Sequence, residues 1–232
     1  MSFTNITAVF QKQCKDIFKN KEILAQFILF PVIAIIMENA VQIEGMPENY
    51  FVNLFATMFI GMAPLTAMAA ILAEEKEKNT LRMLFMSNVK PSEYLIGTGS
   101  YIWCISMFGG CVFGITANYQ GKVLVHFLLI MAAGILASML IGAAIGAISK
   151  TQMMATSLTV PVMMIFAFLP MLSMFNKTIE KVSAITYSGQ ISRLLNQVQT
   201  VRADSENVLV ILFNMALAAA VFGYAYKKSG LV

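Results

Sequence analysis

Of the 232 residues, 58% are hydrophobic and only 12% are charged, and the mean hydropathy is +0.74. A soluble domain carries about a quarter charged residues, so the composition excludes a soluble globular protein and specifies an integral membrane protein. The formal net charge of +4 is not gathered on a face interleaved with base-stacking aromatics, which excludes nucleic-acid binding.

Residues 1–21 are expected to form an N-terminal amphipathic interfacial helix. Ile6, Val9, Phe10, Cys14, Ile17 and Phe18 recur at three-and-four spacing, with Gln11, Lys12, Lys15, Asp16 and Lys19 turned away. Such a helix lies flat on a leaflet with its basic residues near anionic headgroups. It is too polar for a cleavable signal, which would carry a short apolar core.

Residues 22–232 are expected to form one membrane domain. A helix crossing a bilayer needs about 20 mostly apolar residues. The domain offers six such runs, over 22–43, 52–73, 94–117, 123–149, 152–172 and 207–226. The fold class is therefore an all-α membrane protein of six spans. Too little chain remains for a soluble domain, so any energy-converting or catalytic domain belongs to a separate chain.

The first and fifth spans share a local context, Phe30-Pro31-Val32 and Val160-Pro161-Val162. Proline removes a helical hydrogen bond and loosens the turn, which makes Pro31 and Pro161 candidates for a pathway or a subunit interface. Gly134, Ser138, Gly142 and Gly146 form a small-residue stripe on the fourth span. The stripe lets another helix approach closely, and packing within one subunit is favoured over a dimer seam. Between the fifth and sixth spans, Phe175, Ile179, Val182, Ile185, Tyr187, Ile191, Leu194 and Leu195 are spaced among polar residues. Short re-entrant helices are expected there.

Orientation follows from lysine and arginine near the helix ends. With the N-terminus inside, eleven basic residues fall on inner segments and five on outer ones (Lys122, Lys177, Lys181, Arg193 and Arg202), so both termini are expected to be cytoplasmic. The first outer loop agrees, with Glu38, Glu44 and Glu48 and no basic residue.

Few polar groups lie within the spans. Asn53 opens the second span and Asn214 sits in the sixth, which gives an ion gradient little to act on. No repeat relates the two halves, which disfavours an inverted-repeat transporter. Cys14, Cys104 and Cys111 have neither metal nor redox spacing and are expected to be buried small apolar residues. His126 is the one histidine, which excludes an HExxH site. No catalytic, metal or cofactor-binding residue is assigned.

The dense polar stretch is 74–91, between the second and third spans. Helix is expected to continue from Ala73 to Leu84, with Glu74 and Lys78 at i, i+4 in the favourable order. Pro91 ends it, and Ser92 and Glu93 start the next helix. The cluster of Leu81, Met83, Leu84, Phe85 and Met86 exceeds what a solvated loop needs and suits a helix resting in a partner's groove or on lipid.

At these residues the chain resembles the permease subunits of type-2 ABC exporters, whose corresponding segment reads about E-R-E-x-G-T-L-E-x-L-L-x-S-P before a Gly-Lys start to the next span. Glu75, Glu77, Thr80, Leu81, Leu84, Ser87 and Gly97 match. Asn79 stands for the family glycine, Asn88 for the proline and Thr98 for the lysine. Asparagine tolerates the left-handed conformation, so the turn is expected to survive. The family's Asn-Pro-x-x-Tyr pattern is reduced to Tyr187, with Arg193 downstream.

The resemblance implies a half-transporter in the bacterial cytoplasmic membrane, working as a homodimer or heterodimer with two ABC ATPase subunits. Residues 74–91 would then be a cytoplasmic coupling segment, with Glu74, Glu75, Glu77, Thr80, Leu81, Leu84 and Phe85 as its coupling residues. The chain has no G-x-x-x-x-G-K-[ST], so ATP and Mg would be bound by the partner. The 18 methionines and 17 phenylalanines suit a hydrophobic or amphipathic substrate, such as a drug or an exported peptide of the toxin or bacteriocin kind. Two rival classes are an energy-independent channel or scaffold and an intramembrane protease. The protease would use the Glu74/Glu75 pair but also needs several histidines.

Overall fold

The computed structural model describes residues 2–16, 20–41, 45–201 and 205–228, apart from the side chain of Glu22. The expectations for Ile17, Phe18, Lys19, Glu44 and Arg202 lie outside the described residues. Ten α-helices follow in chain order: α1 (Phe3–Asp16), α2 (Lys21–Ala40), α3 (Tyr50–Glu77), α4 (Thr80–Met86), α5 (Pro91–Thr116), α6 (Gly121–Ile148), α7 (Gln152–Ser173), α8 (Lys177–Ser183), α9 (Tyr187–Asn196) and α10 (Ser205–Lys228). A 3₁₀ turn, Val198–Thr200, follows α9, and the described residues contain no strand. Among the described residues, six helices are long and apolar enough to cross a membrane: α2, α3, α5, α6, α7 and α10.

The helix ends follow local chemistry. The side chains of Asn20, Thr151, Asn176 and Thr186 accept backbone N–H groups at the starts of α2, α7, α8 and α9. Pro91 opens α5, and Glu93 reaches back to the Lys90 N–H at 3.0 Å. Asn88 and Asn118 are left-handed, with φ of 68° and 54°, after α4 and α5. In each case the asparagine's own N–H and that of the residue after it return to the last turn, which is the Schellman pattern. Asn79, at φ 55°, splits the predicted continuous 73–84 helix into α3 and α4. The left-handed asparagine therefore does occur at the family glycine position.

Around a central α3 and α6 pack α2, α5, α7, α9 and α10, and α1 lies on α5. The small-residue stripe of α6 sets how closely the central pair sits. A Cβ added at Gly142 would lie 2.2 Å from the Leu65 carbonyl oxygen, and one at Gly146 would lie 2.9 Å from that of Ala69. The stripe thus seats α3 of the same chain. The matched proline contexts do not place the prolines alike, since Pro31 is buried and Pro161 is exposed. All three cysteines are exposed, which corrects the expectation of buried apolar residues; Cys104 and Cys111 lie on the outward face of α5.

Gly142→Val drives a side chain into backbone that has no room to retreat, so a loss of about 1–3 kcal/mol or more in detergent unfolding is expected. Gly223→Ala, whose Cβ meets nothing within 4 Å, leaves the midpoint in place.

Candidate functional site

The polar residues gather at the end of the bundle formed by α1, α4, the last turn of α3 and the start of α5. Two acidic residues of the 74–77 run, Glu75 and Glu77, fasten different elements. Glu75 is 6% exposed and accepts hydrogen bonds from Lys12 Nζ and Gln13 Nε2 at 2.5 and 2.6 Å. It therefore ties α1 to α3. Gln13 is itself buried and sits 3.5 Å from Thr98 Oγ1, while Tyr94 shares the same polar pocket. Glu77 Oε2 accepts the Gln152 N–H at 2.8 Å, at the first residue of α7. Glu74 pairs with Lys78, whose ammonium pKa is raised by that hydrogen bond and charge. Lys78 is mostly exposed, so this pair contributes about 0–1 kcal/mol.

Between these acids, Lys76 Nζ donates to the carbonyls of Ala147 and Ser149 at 2.6 and 2.7 Å, where α6 ends. On α5, the buried Glu93 accepts from Ser2 N–H at 2.6 Å, Asn5 Nδ2 at 2.8 Å and Lys90 N–H. Gly97, one turn further on, gives α1 its seat, because a Cβ there would lie 2.8 Å from Val9 Cβ. Lys12, expected to turn towards headgroups, turns inward instead, because a buried carboxylate needs a partner. α1 is thus a docked helix with two carboxylate anchors.

On α4 the predicted apolar face points inward. Leu81 is 2% exposed and packs with Val9, Leu72, Tyr94, Ala147 and Ala225. Leu84 and Phe85, three and four residues on, lie partly buried on the same side. The outward side carries Arg82, Met83 at 59% exposure and Met86 at 81%. Thr80 is half-buried at the rim. The expectation that Leu81 and Glu75 are available to a partner is corrected accordingly, while Leu84 and Phe85 stay partly exposed. The outward residues were readable in the sequence: once Leu81 points in, helical spacing sends Met83 and Met86 out.

Beside α4, a cleft of about 1070 Å³ opens between α1, α2, α3, α5 and α7. Lys12, Asp16, Lys21, Glu74, Glu77 and Lys78 line it near the helix ends. Further along the helices its walls are apolar, with Phe27, Ala67, Ile71 and Val160. Pro31 and Pro161 do not line it, although Val160 does.

At the opposite end, α9 is tucked into the bundle. Tyr187 is fully buried, and burial pushes its phenol up, which keeps it a protonated donor. It lies 2.8 Å from Ser138 Oγ, which itself donates to the Ile60 carbonyl at 2.6 Å, so α9, α6 and α3 meet at one hydroxyl. Ile191, Leu194 and Leu195 bury with it, whereas Phe175, Val182 and Ile185 are exposed. Arg193 reaches Glu180 at 3.5 Å on the surface.

The sequence profile of the ABC-2 family transporter proteins matches residues 1–225. The chain belongs to this family. No curated protein matches the chain at a significant level. Family membership makes the chain a multi-pass permease, the transport subunit that associates with ABC ATPases at a membrane.

Glu75→Ala leaves the buried Gln13 amide without its acceptor, a cost of about 1–3 kcal/mol. Hydrogen exchange in α1 of the permease is then expected to speed up roughly ten- to hundredfold, while exchange in the α3–α6 core is unchanged.

Proposed function

We propose that the permease is one half of an exporter, in which two copies, or this chain and a paralogue, enclose a path driven by two ATPase subunits that bind ATP and Mg. The observation that carries this reading is a juxtaposition at one end of the bundle. α4 has its inner face sunk in the core and offers Arg82, Met83 and Met86 outward, while its first residue, Thr80, lines the cleft. A short helix with exposed methionines suits a groove on a soluble partner, where fully burying each side chain would contribute about 1.5–3 kcal/mol.

In this reading the coupling segment 74–91 divides its labour. Met83, Met86 and Arg82, flanked by Leu84 and Phe85, meet the ATPase; Glu75 and Glu77 hold the neighbouring helices, with Glu74 paired to Lys78 beside them; Leu81 fixes α4 to the core, and Thr80 faces the cleft. The end bearing α1 and α4 is cytoplasmic, as are both termini, in a bacterial plasma membrane. α2 and α7 form the interface with the second subunit. Their support is the apolar surface left outside the bundle, including Ile28, Leu29 and Ile36 on α2 and Met164 and Ile165 on α7. Pro161 lies on that exposed side and loosens α7 there.

The substrate is hydrophobic or amphipathic, and an exported peptide of the toxin or bacteriocin kind suits the cleft. A charged entrance over apolar walls holds such a molecule at both its ends.

Met83→Asp/Met86→Asp is expected to abolish co-purification of the ATPase while the permease stays inserted and folded. Wild-type stoichiometry in that variant would remove the docking proposal, and a native complex with no ATPase at all would favour a channel or scaffold. Orientation is checked separately in a chain whose native cysteines are replaced by serine. On intact cells an impermeant maleimide should label Glu48→Cys and leave Met86→Cys unlabelled until the cells are opened.

A further inference from the structure

The last turn of α3 caps both sides of the α6–α7 reversal. Lys76 Nζ reaches three carbonyls at the end of α6, those of Ala147 and Ser149 at 2.6 and 2.7 Å and that of Gly146 at 3.4 Å. A cation there satisfies orphan carbonyls and meets the negative end of the helix dipole. One residue later, Glu77 Oε2 takes the Gln152 N–H at 2.8 Å, a carboxylate at the positive end of α7. Neighbouring side chains of opposite sign thus close the two helix ends that a three-residue turn, Ser149 to Thr151, connects. Ser149 is fully buried, so the turn is held from beneath as well.

The same turn of α3 leads to α4 through only Lys78 and Asn79. Leu81 of α4 packs in one cluster with Leu72 of α3 and Ala147 of α6. Motion of α4 therefore has a short, stiff route to the α6–α7 reversal. α7 is also free to respond along its length: its span is 22% buried in the bundle, against 61% for α3.

We infer that Lys76 and Glu77 are positioning residues that make α4 and the start of α7 move as one body, so that a displacement imposed at α4 re-sets a wall of the cleft. The geometry stands by itself, and the identity of the driver rests on the ATPase docking proposed above. Neither residue needs to touch substrate or ATPase to act.

The test uses the permease in lipid nanodiscs, with Cys14, Cys104 and Cys111 replaced by serine and the labelled copy diluted in unlabelled chain. Spin labels at the exposed Met86 and Met153, 81% and 80% accessible, report the distance between α4 and α7 without any ATPase present. A single narrow distance is expected, broadened in Lys76→Met/Glu77→Gln and restored in Lys76→Arg/Glu77→Asp. Glu77→Gln alone, at an exposed position, should broaden it partly and covers the case where the double variant does not fold. A second label pair, Met153 with Tyr224 on α10, is read in the complex with its ATPase, with and without ATP and vanadate. The ATP-dependent shift expected in the parent should be lost in Lys76→Met/Glu77→Gln, although the ATPase still co-purifies. An unbroadened Met86–Met153 distance in the variants, or a retained ATP-dependent shift, would overturn the inference. A broadened distance in a permease whose ATPase ignores α4 would uphold the bracket and remove the docking proposal instead.

Discussion

Close approach of α3 to α6 is the constraint on which the remaining packing depends. Within lipid, an apolar side chain gains little by leaving the acyl chains for another helix, so association rests on close packing and on hydrogen bonds across helices. Both are present along one stripe. Gly142 and Gly146 bring the α6 backbone against the carbonyls of Leu65 and Ala69, and Ser138 donates to Ile60 between Gly134 and Gly142. A larger residue would separate the pair and break the Ser138 contact, which in turn carries Tyr187 and hence α9. α3 is thereby fixed along its length, and its last turn presents Glu74 to Glu77 at a set angle.

That fixed angle explains why the charges act as fasteners. A carboxylate buried against a neighbouring helix loses hydration and must recover it from donors, and the donors that Glu75 finds are Lys12 and Gln13. Removing any one partner leaves the other stranded, so these contacts specify geometry strongly. The exposed Glu74–Lys78 pair has water as an alternative partner and specifies little. Charge at this end therefore sets the positions of α1, α6 and α7, and the apolar groups left outside, Met83 and Met86, are the ones available for contact with another molecule.

Much of this was legible in the sequence. The six spans match the six apolar runs to within a few residues at most ends, because length and hydropathy alone fix them. The α6 stripe was readable as a surface of close helix approach, with a seat within one chain favoured over a dimer seam, and α3 does occupy it. The turn at Asn79 was readable only through the family resemblance and asparagine's tolerance of positive φ, because helical spacing alone ran one helix through it. What was not legible was direction. Lys12 has the same spacing as a headgroup-facing lysine, and only the buried Glu75, 63 positions away, turns it inward. The inward side of α4 likewise depends on Leu72, Ala147 and Ala225, which come from three distant helices. The prolines show the same limit: an identical local context does not say which side of a helix meets the bundle, and Pro31 is buried where Pro161 is exposed.

The two ends of the subunit are built on different energy scales, and this bears on how a path could open. At the α4 end, charged groups hold α1, α6 and α7 around a cleft of about 1070 Å³. At the α9 end, the cavity lined by Tyr50, Leu54, Ala167, Pro170 and Ser192 holds only about 10 Å³. Neutral hydrogen bonds predominate at that end, Tyr187 to Ser138, Asn214 to the Ile185 carbonyl and Tyr119 to Asn53, beside the Glu38 carboxylate on the Val52 N–H and the exposed Arg193–Glu180 pair. Neutral bonds of this kind contribute about 0.5–1.5 kcal/mol each, whereas bonds to charged groups contribute about 1.5–3. A drive applied at the charged end would therefore be carried through joints that hold, and would be released at the end whose contacts yield first. In the proposed export cycle that ordering lets the contacts at the α9 end give way while α4 and the start of α7 move together at the other.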